Sequence, residues 1–171
     1  MKLAGRLDHI EPFYVMECAK AAQRIAASPA CDPTRGGERM IFLNIGEPDF
    51  TAPPQVQEAA VRSIHDGATQ YTQATGLLTL RERVSGWYAT RFGVDIPASR
   101  IVITAGASAA LQLACLALID AGDEILMPDP SYPCNRHFVS AAEGAAVLIP
   151  TTAAERFQLS ADKVAAAWGP K

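Results

Sequence analysis

The chain has 171 residues, of which 49% are hydrophobic and 19% are charged, a composition typical of globular protein rather than of a disordered segment. The 15 basic and 18 acidic residues give a net charge of −3 without a basic tract, which argues against nucleic acid or an anionic membrane as a partner. The most apolar run, residues 109–119, is interrupted by Gln112 and is much shorter than the roughly 20 residues that a membrane-spanning helix needs.

The start of the chain lacks the continuous apolar stretch of a secretory signal. The 4 cysteines are scattered, without a Cys-x-x-Cys pair or neighbouring histidines, so neither a metal site nor a disulfide framework is expected. We therefore predict a reduced, cytoplasmic protein that binds no metal.

The amino-terminal half is predicted to consist of helices separated by turns. Apolar side chains recur at helical spacing over residues 7–27, from Pro54 onward, and from Leu77 to Phe92. A short apolar run at 40–45 indicates a strand or an extended segment. A glycine follows each of the last two helices, where a left-handed residue commonly ends a helix: Gly67 and Gly93.

In the second half the hydrophobic period changes, and short apolar runs alternate with helical stretches. Strands are predicted over 101–104, 124–127 and 145–149, with a buried helix to Ile119 after the first and a helix to Ala142 after the second. This alternation indicates an α/β layer with a mainly parallel sheet. Three such strands would leave one edge and one face of the sheet uncovered, so we expect the chain to end inside a domain.

The turn Gly106-Ala107-Ser108 joins the first of these predicted strands to its helix. A helix that starts there directs free backbone N–H groups and its positive dipole end toward the space above the strand. Gly106 allows close approach and Ser108 adds a hydroxyl, so the turn could hold a phosphate. Small residues are also needed at any tight strand-to-helix turn, and the local sequence leaves both interpretations open.

Two tyrosines are further candidates. Tyr132 follows the next predicted strand and could stack on a flat cofactor, or it could be a half-buried core residue in a proline-rich turn. Tyr71 could supply a functional hydroxyl or be an ordinary loop aromatic.

Five segments between residues 43 and 150 resemble, in order and at similar spacing, the class I and II aminotransferases of fold type I, which depend on pyridoxal 5'-phosphate. They are Leu43-Asn44-Ile45-Gly46-Glu47-Pro48-Asp49-Phe50, Tyr71 with Gly76 and Leu80-Arg81, Ile103 to Leu111, Gly122-Asp123-Glu124, and Pro128-Asp129-Pro130-Ser131-Tyr132-Pro133.

The resemblance implies a fold. It is the three-layer α/β/α large domain of the pyridoxal-phosphate-dependent transferases, with a mainly parallel sheet, present here in truncated form. Residues 1–45 would form an amino-terminal arm or small-domain segment. Residues 46–171 would form the first part of the large, cofactor-binding domain.

The resemblance also implies where the cofactor would bind. Ala107 and Ser108, in the turn opened by Gly106, would bind the phosphate of pyridoxal 5'-phosphate, and Tyr132 would stack on its pyridine ring. Tyr71 would reach across a homodimer interface to the phosphate of the partner's cofactor.

The substrates implied by the resemblance are an amino acid and a 2-oxo acid. The backbone at Gly46 would help to hold the substrate carboxylate. In the family a lysine forms a Schiff base with the cofactor, an aspartate contacts the pyridine nitrogen, and an arginine pairs with the substrate carboxylate. These three follow an Asn-Pro-x-x-Gly segment that the sequence does not contain.

We therefore predict that no catalytic residue, and in particular no Schiff-base lysine, lies in this chain. On this interpretation the chain is an aminotransferase fragment that is inactive by itself. Ser160-Ala161-Asp162-Lys163 offers a Ser-x-x-Lys pattern, but serine at a helix start is commonly an N-cap.

Two alternatives remain at this stage. One is another fold-type-I enzyme, such as a lyase or decarboxylase, which shares the same cofactor half. The other is a non-catalytic α/β module that binds phosphate.

Overall fold

The computed structural model describes residues 2–170. These residues divide into two compact units. Met1–Gly46 and Ala110–Lys171 form one, here called the sheet unit, and Glu47–Ala109 form the other, the helical unit. The division into a domain at 1–45 and a domain at 46–171 remains a prediction.

The described residues contain six α-helices and two strands. In chain order they are α1 (Tyr14–Ala26), α2 (Pro54–His65), α3 (Leu78–Phe92), α4 (Ala107–Leu118), β1 (Glu124–Asp129), α5 (Cys134–Ala141), β2 (Ala145–Pro150) and α6 (Ala161–Ala167).

The helices predicted in the amino-terminal half are present, with one shortened. Gly67 (φ +72°) follows α2 and Gly93 (φ +68°) follows α3, both in the left-handed conformation expected after a helix end. The predicted helix over 7–27 is instead a short 3-10 turn at Gly5–His9 followed by α1. Pro12 lies between the two, and proline disfavours helical backbone in the residue before it.

The strand predicted at 101–104 is wrong. This segment has no regular secondary structure, and the Ile103 N–H donates to a loop, to the Thr75 carbonyl at 3.0 Å. A β-branched run forms a strand only where a neighbouring strand supplies a ladder of such bonds. For residues 40–45 the sequence predicted either a strand or an extended segment, and the structure has no strand there.

The sheet has two strands, β1 and β2, which are parallel in a register that runs from Glu124 opposite Ala145 to Asp129 opposite Pro150. Helix α5 connects them, as parallel pairing requires. The best-buried apolar side chains of the described chain lie in this β1–α5–β2 region: Val139, Ala142 and Ile149.

The helix after the Gly106 turn is present as α4, but the prediction that it is buried is wrong. Leu113, Leu116 and Leu118 are 51%, 60% and 81% exposed. No other helix or strand of the described residues packs extensively against α4, which leaves its apolar side chains uncovered.

Candidate functional site

The turn that precedes α4 has the geometry expected of an anion site. Gly106 adopts φ +84°, and open space surrounds the position where a side chain would begin. Two hydrogen bonds close the turn: the Gly106 N–H donates to the Thr104 carbonyl at 2.8 Å, and the Thr104 hydroxyl donates to the Gly106 carbonyl at 2.9 Å.

The first turn of α4 then offers donors to solvent. α4 begins at Ala107, and the first N–H groups of a helix have no partner within it. Ala107 and Ser108 are both exposed. A phosphate group fits this arrangement, because helix N-termini commonly bind phosphate. Gly106 leaves open space, and the first-turn amides and the Ser108 hydroxyl supply donors.

The loop that carries Tyr71 is anchored by the neighbouring helix. Arg81, on α3, is only 9% exposed and donates three hydrogen bonds: Nε to the Gly76 carbonyl (3.2 Å), Nη1 to the Ala98 carbonyl (2.9 Å) and Nη2 to Gln73 Oε1 (3.1 Å). Tyr71 itself is fully exposed. The anchor therefore acts on the loop backbone and on Gln73, while the tyrosine ring projects into solvent.

Gly76 fixes this loop against the segment that leads to the turn. It adopts φ +92°, and a Cβ built there would lie 2.6 Å from Ile103 Cβ and Cγ1. The Ile103 N–H donates to the Thr75 carbonyl at the same place. The helical unit thus joins the Tyr71 loop to the residues just before Gly106.

Tyr132 lies in the sheet unit, just after β1, and its side chain is about half exposed, at 52%. Its ring meets that of Phe13 edge to face, with centroids 6.2 Å apart. A hydrogen bond with Cys134 raises the pKa of Tyr132, and the charge interaction with the same thiol raises it further. A neutral phenol with an exposed ring is available for stacking on a flat ligand.

Gly46 is exposed and directly follows a bend at residues 44–45 of the sheet unit, with open space where a side chain would begin. Two residues earlier, the Nδ2 atom of Asn44 is buried and has no hydrogen-bond acceptor among the described residues. Sequence reasoning did not single out Asn44. The available signal was one amide residue between Leu43 and Ile45 in an apolar run.

The predicted residues therefore fall into two groups. Gly106, Ala107, Ser108 and Tyr71 belong to the helical unit, and Gly46 and Tyr132 belong to the sheet unit. The three hydrogen bonds of Arg81 connect segments of the helical unit. The sequence placed Arg81 in the motif that begins at Tyr71 but predicted no role for it.

Lys163 is engaged in a local contact. Its Nζ atom lies 2.6 Å from Glu155 Oε1 and donates to the Pro150 carbonyl at 2.7 Å. Ser160 accepts a hydrogen bond from the Lys163 N–H at 3.2 Å, which confirms its predicted role as the N-cap of α6. This lysine contributes to structure in the described chain.

A cavity of about 560 Å³ in the sheet unit includes none of the predicted site residues. Arg6, His9 and Arg136 line part of it. Arg6 is paired with Glu143 at 3.1 Å and Arg136 with Asp129 at 3.4 Å, so the arginine charges there are already compensated.

Residues 2–170 include no helix with the length and apolar character needed to cross a membrane. Within the same residues, no group of three or more His, Cys, Asp or Glu side chains could hold a metal ion. The four cysteines are free thiols.

Residues 38–170 match the family model for "Aminotransferase class I and II". The chain is 37% identical over 137 residues to a (5-formylfuran-3-yl)methyl phosphate transaminase of Methanocaldococcus jannaschii, covering 80% of the chain and 35% of that protein. It is 35% identical over 156 residues to a valine–pyruvate aminotransferase of Mycobacterium tuberculosis, covering 91% of the chain and 38% of the relative.

A solved structure of an aminotransferase from Mycobacterium tuberculosis superposes on the chain with a TM-score of 0.86 at 34% identity, covering 99% of this chain and 41% of that one. The chain thus spans about two fifths of the length of these proteins. The agreement in fold confirms the α/β, fold-type-I architecture implied by the motifs. The family match covers most of the sequence, and the chain belongs to the class I and II aminotransferases.

Proposed function

We propose that the natural polypeptide that carries this sequence is a pyridoxal-phosphate-dependent enzyme that transfers an amino group between an amino acid and a 2-oxo acid. The observation that carries the proposal is the exposed turn at Gly106, with free amides at the start of α4, in a chain that matches the aminotransferase family over residues 38–170.

The phosphate-binding role falls to three residues. The amides of Ala107 and Ser108 and the Ser108 hydroxyl would donate hydrogen bonds to the phosphate, and the absence of a side chain at Gly106 would let it approach the backbone. Tyr132 would pack its ring against the pyridine. When bound, the cofactor supplies an electron-accepting ring that stabilises negative charge at the substrate α-carbon.

Two further residues would complete the site. The backbone at Gly46, exposed and open, would help to hold the substrate carboxylate. Tyr71, whose ring projects fully into solvent, would reach the cofactor phosphate of a second copy in a homodimer.

We also propose that the lysine that bonds to the cofactor is not among residues 1–171. Lys163 is held by Glu155 and the Pro150 carbonyl, and Lys20 is paired with Glu17 at 2.7 Å. The described residues would therefore bind and orient the cofactor, while its covalent attachment would come from elsewhere in the natural polypeptide. The 171-residue chain by itself is expected to turn over no amino acid.

The test uses the natural polypeptide purified with pyridoxal 5'-phosphate. Reduction with borohydride followed by peptide mass spectrometry should find a phosphopyridoxyl group on a lysine outside residues 1–171. Incubation with aspartate, valine or an aromatic amino acid plus a 2-oxo acid should yield a new 2-oxo acid and a new amino acid in equal amounts. Release of ammonia with pyruvate would instead indicate a lyase, and release of CO₂ a decarboxylase.

The phosphate site is tested by Ser108→Ala, with Ser63→Ala on the exposed face of α2 as the matched control. Loss of one hydrogen bond to a charged group is worth about 1.5–3 kcal/mol, so Ser108→Ala should weaken cofactor binding about tenfold or more. Equal affinity for pyridoxal 5'-phosphate in both variants would show that Ser108 does not bind the phosphate.

A further inference from the structure

Arg81 is a nearly buried cation without a carboxylate partner. It is 9% exposed and forms no ion pair among the described residues, although buried charges are usually paired. Its three hydrogen bonds go instead to neutral acceptors: two backbone carbonyls and one side-chain amide. Hydrogen bonds from a charged donor are stronger than neutral ones, and the planar guanidinium fixes their directions.

The acceptors lie on two segments that are separate in sequence. Gln73 and Gly76 belong to the loop over residues 69–76 that carries Tyr71, whereas Ala98 belongs to the segment that continues through Ile103 to the Gly106 turn. The hydrogen bond from the Ile103 N–H to the Thr75 carbonyl joins the same two segments. They also lie so close together at Gly76 that a Cβ there would clash with Ile103. Arg81 therefore lies where the Tyr71 loop meets the approach to the phosphate turn.

We propose that Arg81 is a positioning residue, which holds the Tyr71 loop in place relative to the Gly106–Ser108 turn. The proposal rests on the proposed function, in which the turn binds the cofactor phosphate of its own subunit and Tyr71 reaches that of the second copy. Tyr71 is fully exposed and has no packing of its own, so its direction depends on the backbone that Arg81 anchors. Arg81 would affect cofactor affinity through Tyr71 without touching the cofactor.

The test compares Arg81→Lys with Arg83→Lys in the natural polypeptide. Both arginines lie on α3, but Arg83 is exposed and makes no side-chain hydrogen bond among the described residues. Lysine keeps the charge but has a single ammonium, which cannot reach three separated acceptors as the guanidinium does. Gln73→Leu is a second variant, which removes only the bond to the Gln73 side chain and leaves those to the Gly76 and Ala98 carbonyls intact.

Hydrogen exchange is the first readout, because it needs no cofactor. Arg81→Lys and Gln73→Leu should speed exchange of the Gly76 amide, which bonds to the Gln73 carbonyl, by about tenfold, the equivalent of 1.4 kcal/mol. Amides in α2 should keep their wild-type rates, which would show that the change is local. Arg83→Lys should change neither region.

Cofactor affinity is the second readout, measured by absorbance titration with pyridoxal 5'-phosphate. Arg81→Lys should raise the dissociation constant about tenfold, equivalent to 1.4 kcal/mol. In a Tyr71→Phe background the same substitution should have less than about a twofold effect, because residues that act through one contact are not additive.

Two results would overturn the proposal: unchanged exchange at Gly76 in Arg81→Lys, or an equal loss of affinity with and without Tyr71→Phe. The latter would mean that Arg81 is merely structural. Failure of the unsubstituted polypeptide to bind pyridoxal 5'-phosphate would contradict the proposed function instead, and the exchange measurement would still decide whether Arg81 anchors the loop.

Discussion

The two units of the chain each use a cation as a cross-link, and the two cross-links differ in kind. In the helical unit, Arg81 is nearly buried and bonds only to neutral acceptors. In the sheet unit, the Lys163 side chain is 31% exposed and pairs with Glu155, in addition to the Pro150 carbonyl at the end of β2.

This difference determines what each cross-link responds to. Carbonyl and amide oxygens do not titrate near neutral pH, so the Arg81 contacts depend on shape and on the reach of the side chain. The Lys163–Glu155 pair is partly exposed, so it should weaken with salt and with protonation of the carboxylate. Substitutions that alter shape should therefore affect the helical unit most, and changes in charge should affect the sheet unit.

The largest expected effect is at Gly76. Gly76→Ala would place a methyl group 2.6 Å from Ile103 atoms at φ +92°, which combines a clash with an unfavourable backbone. We expect a loss of about 2–4 kcal/mol in the free energy of unfolding, measured by urea denaturation of the natural polypeptide. Gly86→Ala is the matched control, because it lies within α3 with open space around it and should stabilise by about 0.5–1 kcal/mol. Equal effects of the two substitutions would contradict the shape argument.

A smaller effect is expected when Arg81 is replaced by lysine and when Lys163 is replaced by arginine. Arg81→Lys should lower the free energy of unfolding by about 1–3 kcal/mol, since at least one buried acceptor loses its donor. Lys163→Arg should cost less, because the longer side chain keeps its charge and the surrounding solvent can accommodate it. The comparison between the units fails if Lys163→Arg proves the more damaging substitution.

The outcome at particular residues shows what the sequence could predict. Helix ends at Gly67 and Gly93, the turn at Gly106 and the N-cap at Ser160 were all predictable, because each depends on backbone preferences within a few residues. The run Ile101–Thr104 was assigned wrongly, since a strand requires a partner that local sequence does not specify.

The site shows the same limit. The motifs identified Gly106 to Ser108 and the two tyrosines. The role of Arg81 could not be predicted, because two of its three acceptors are backbone carbonyls 5 and 17 residues away. On α3 the side chains at Leu80 and Trp87 are exposed, whereas Arg81, Val84 and Ser85 are the more buried ones. An arginine on the inward face of a helix is a pattern that hydrophobic periodicity does not detect.

The third prediction concerns acid stability of the sheet unit. Hydrogen bonds from Lys163 and then Thr152 lower the pKa of Glu155 below its ordinary value. A carboxylate with a lowered pKa in the folded state stabilises that state at pH above its ordinary pKa. This contribution is lost as the pH falls through the lowered value.

The measurement is the pH dependence of the free energy of unfolding between neutral pH and the acid range. Glu155→Gln should reduce the loss of stability on acidification relative to the wild type, because glutamine does not titrate. Glu38→Gln, at an exposed position in the same unit, is the control and should leave the profile unchanged. An unchanged acid profile in Glu155→Gln would show that the carboxylate does not contribute to the cross-link.

The smallest expected effect is on the titration of Tyr132. Its contact with Cys134 raises its pKa but holds no separate segment of the chain in place. The hydrogen bond with Cys134 raises the pKa of Tyr132, so Cys134→Ala should lower it toward its ordinary value. Ultraviolet titration of phenolate absorbance would show the shift, with Tyr132→Phe identifying the signal and Cys18→Ala, exposed on α1, as the control.

The Cys134→Ala variant also distinguishes the role of the Tyr132 ring from that of the Tyr132 hydroxyl. The proposed role of Tyr132 uses the face of its ring, and a raised pKa keeps its hydroxyl neutral over a wider pH range. Cys134→Ala should therefore move the tyrosine titration and leave the affinity for pyridoxal 5'-phosphate at neutral pH unchanged. A parallel loss of affinity would mean that the thiol contact orients the ring as well, which would make Cys134 part of the cofactor site.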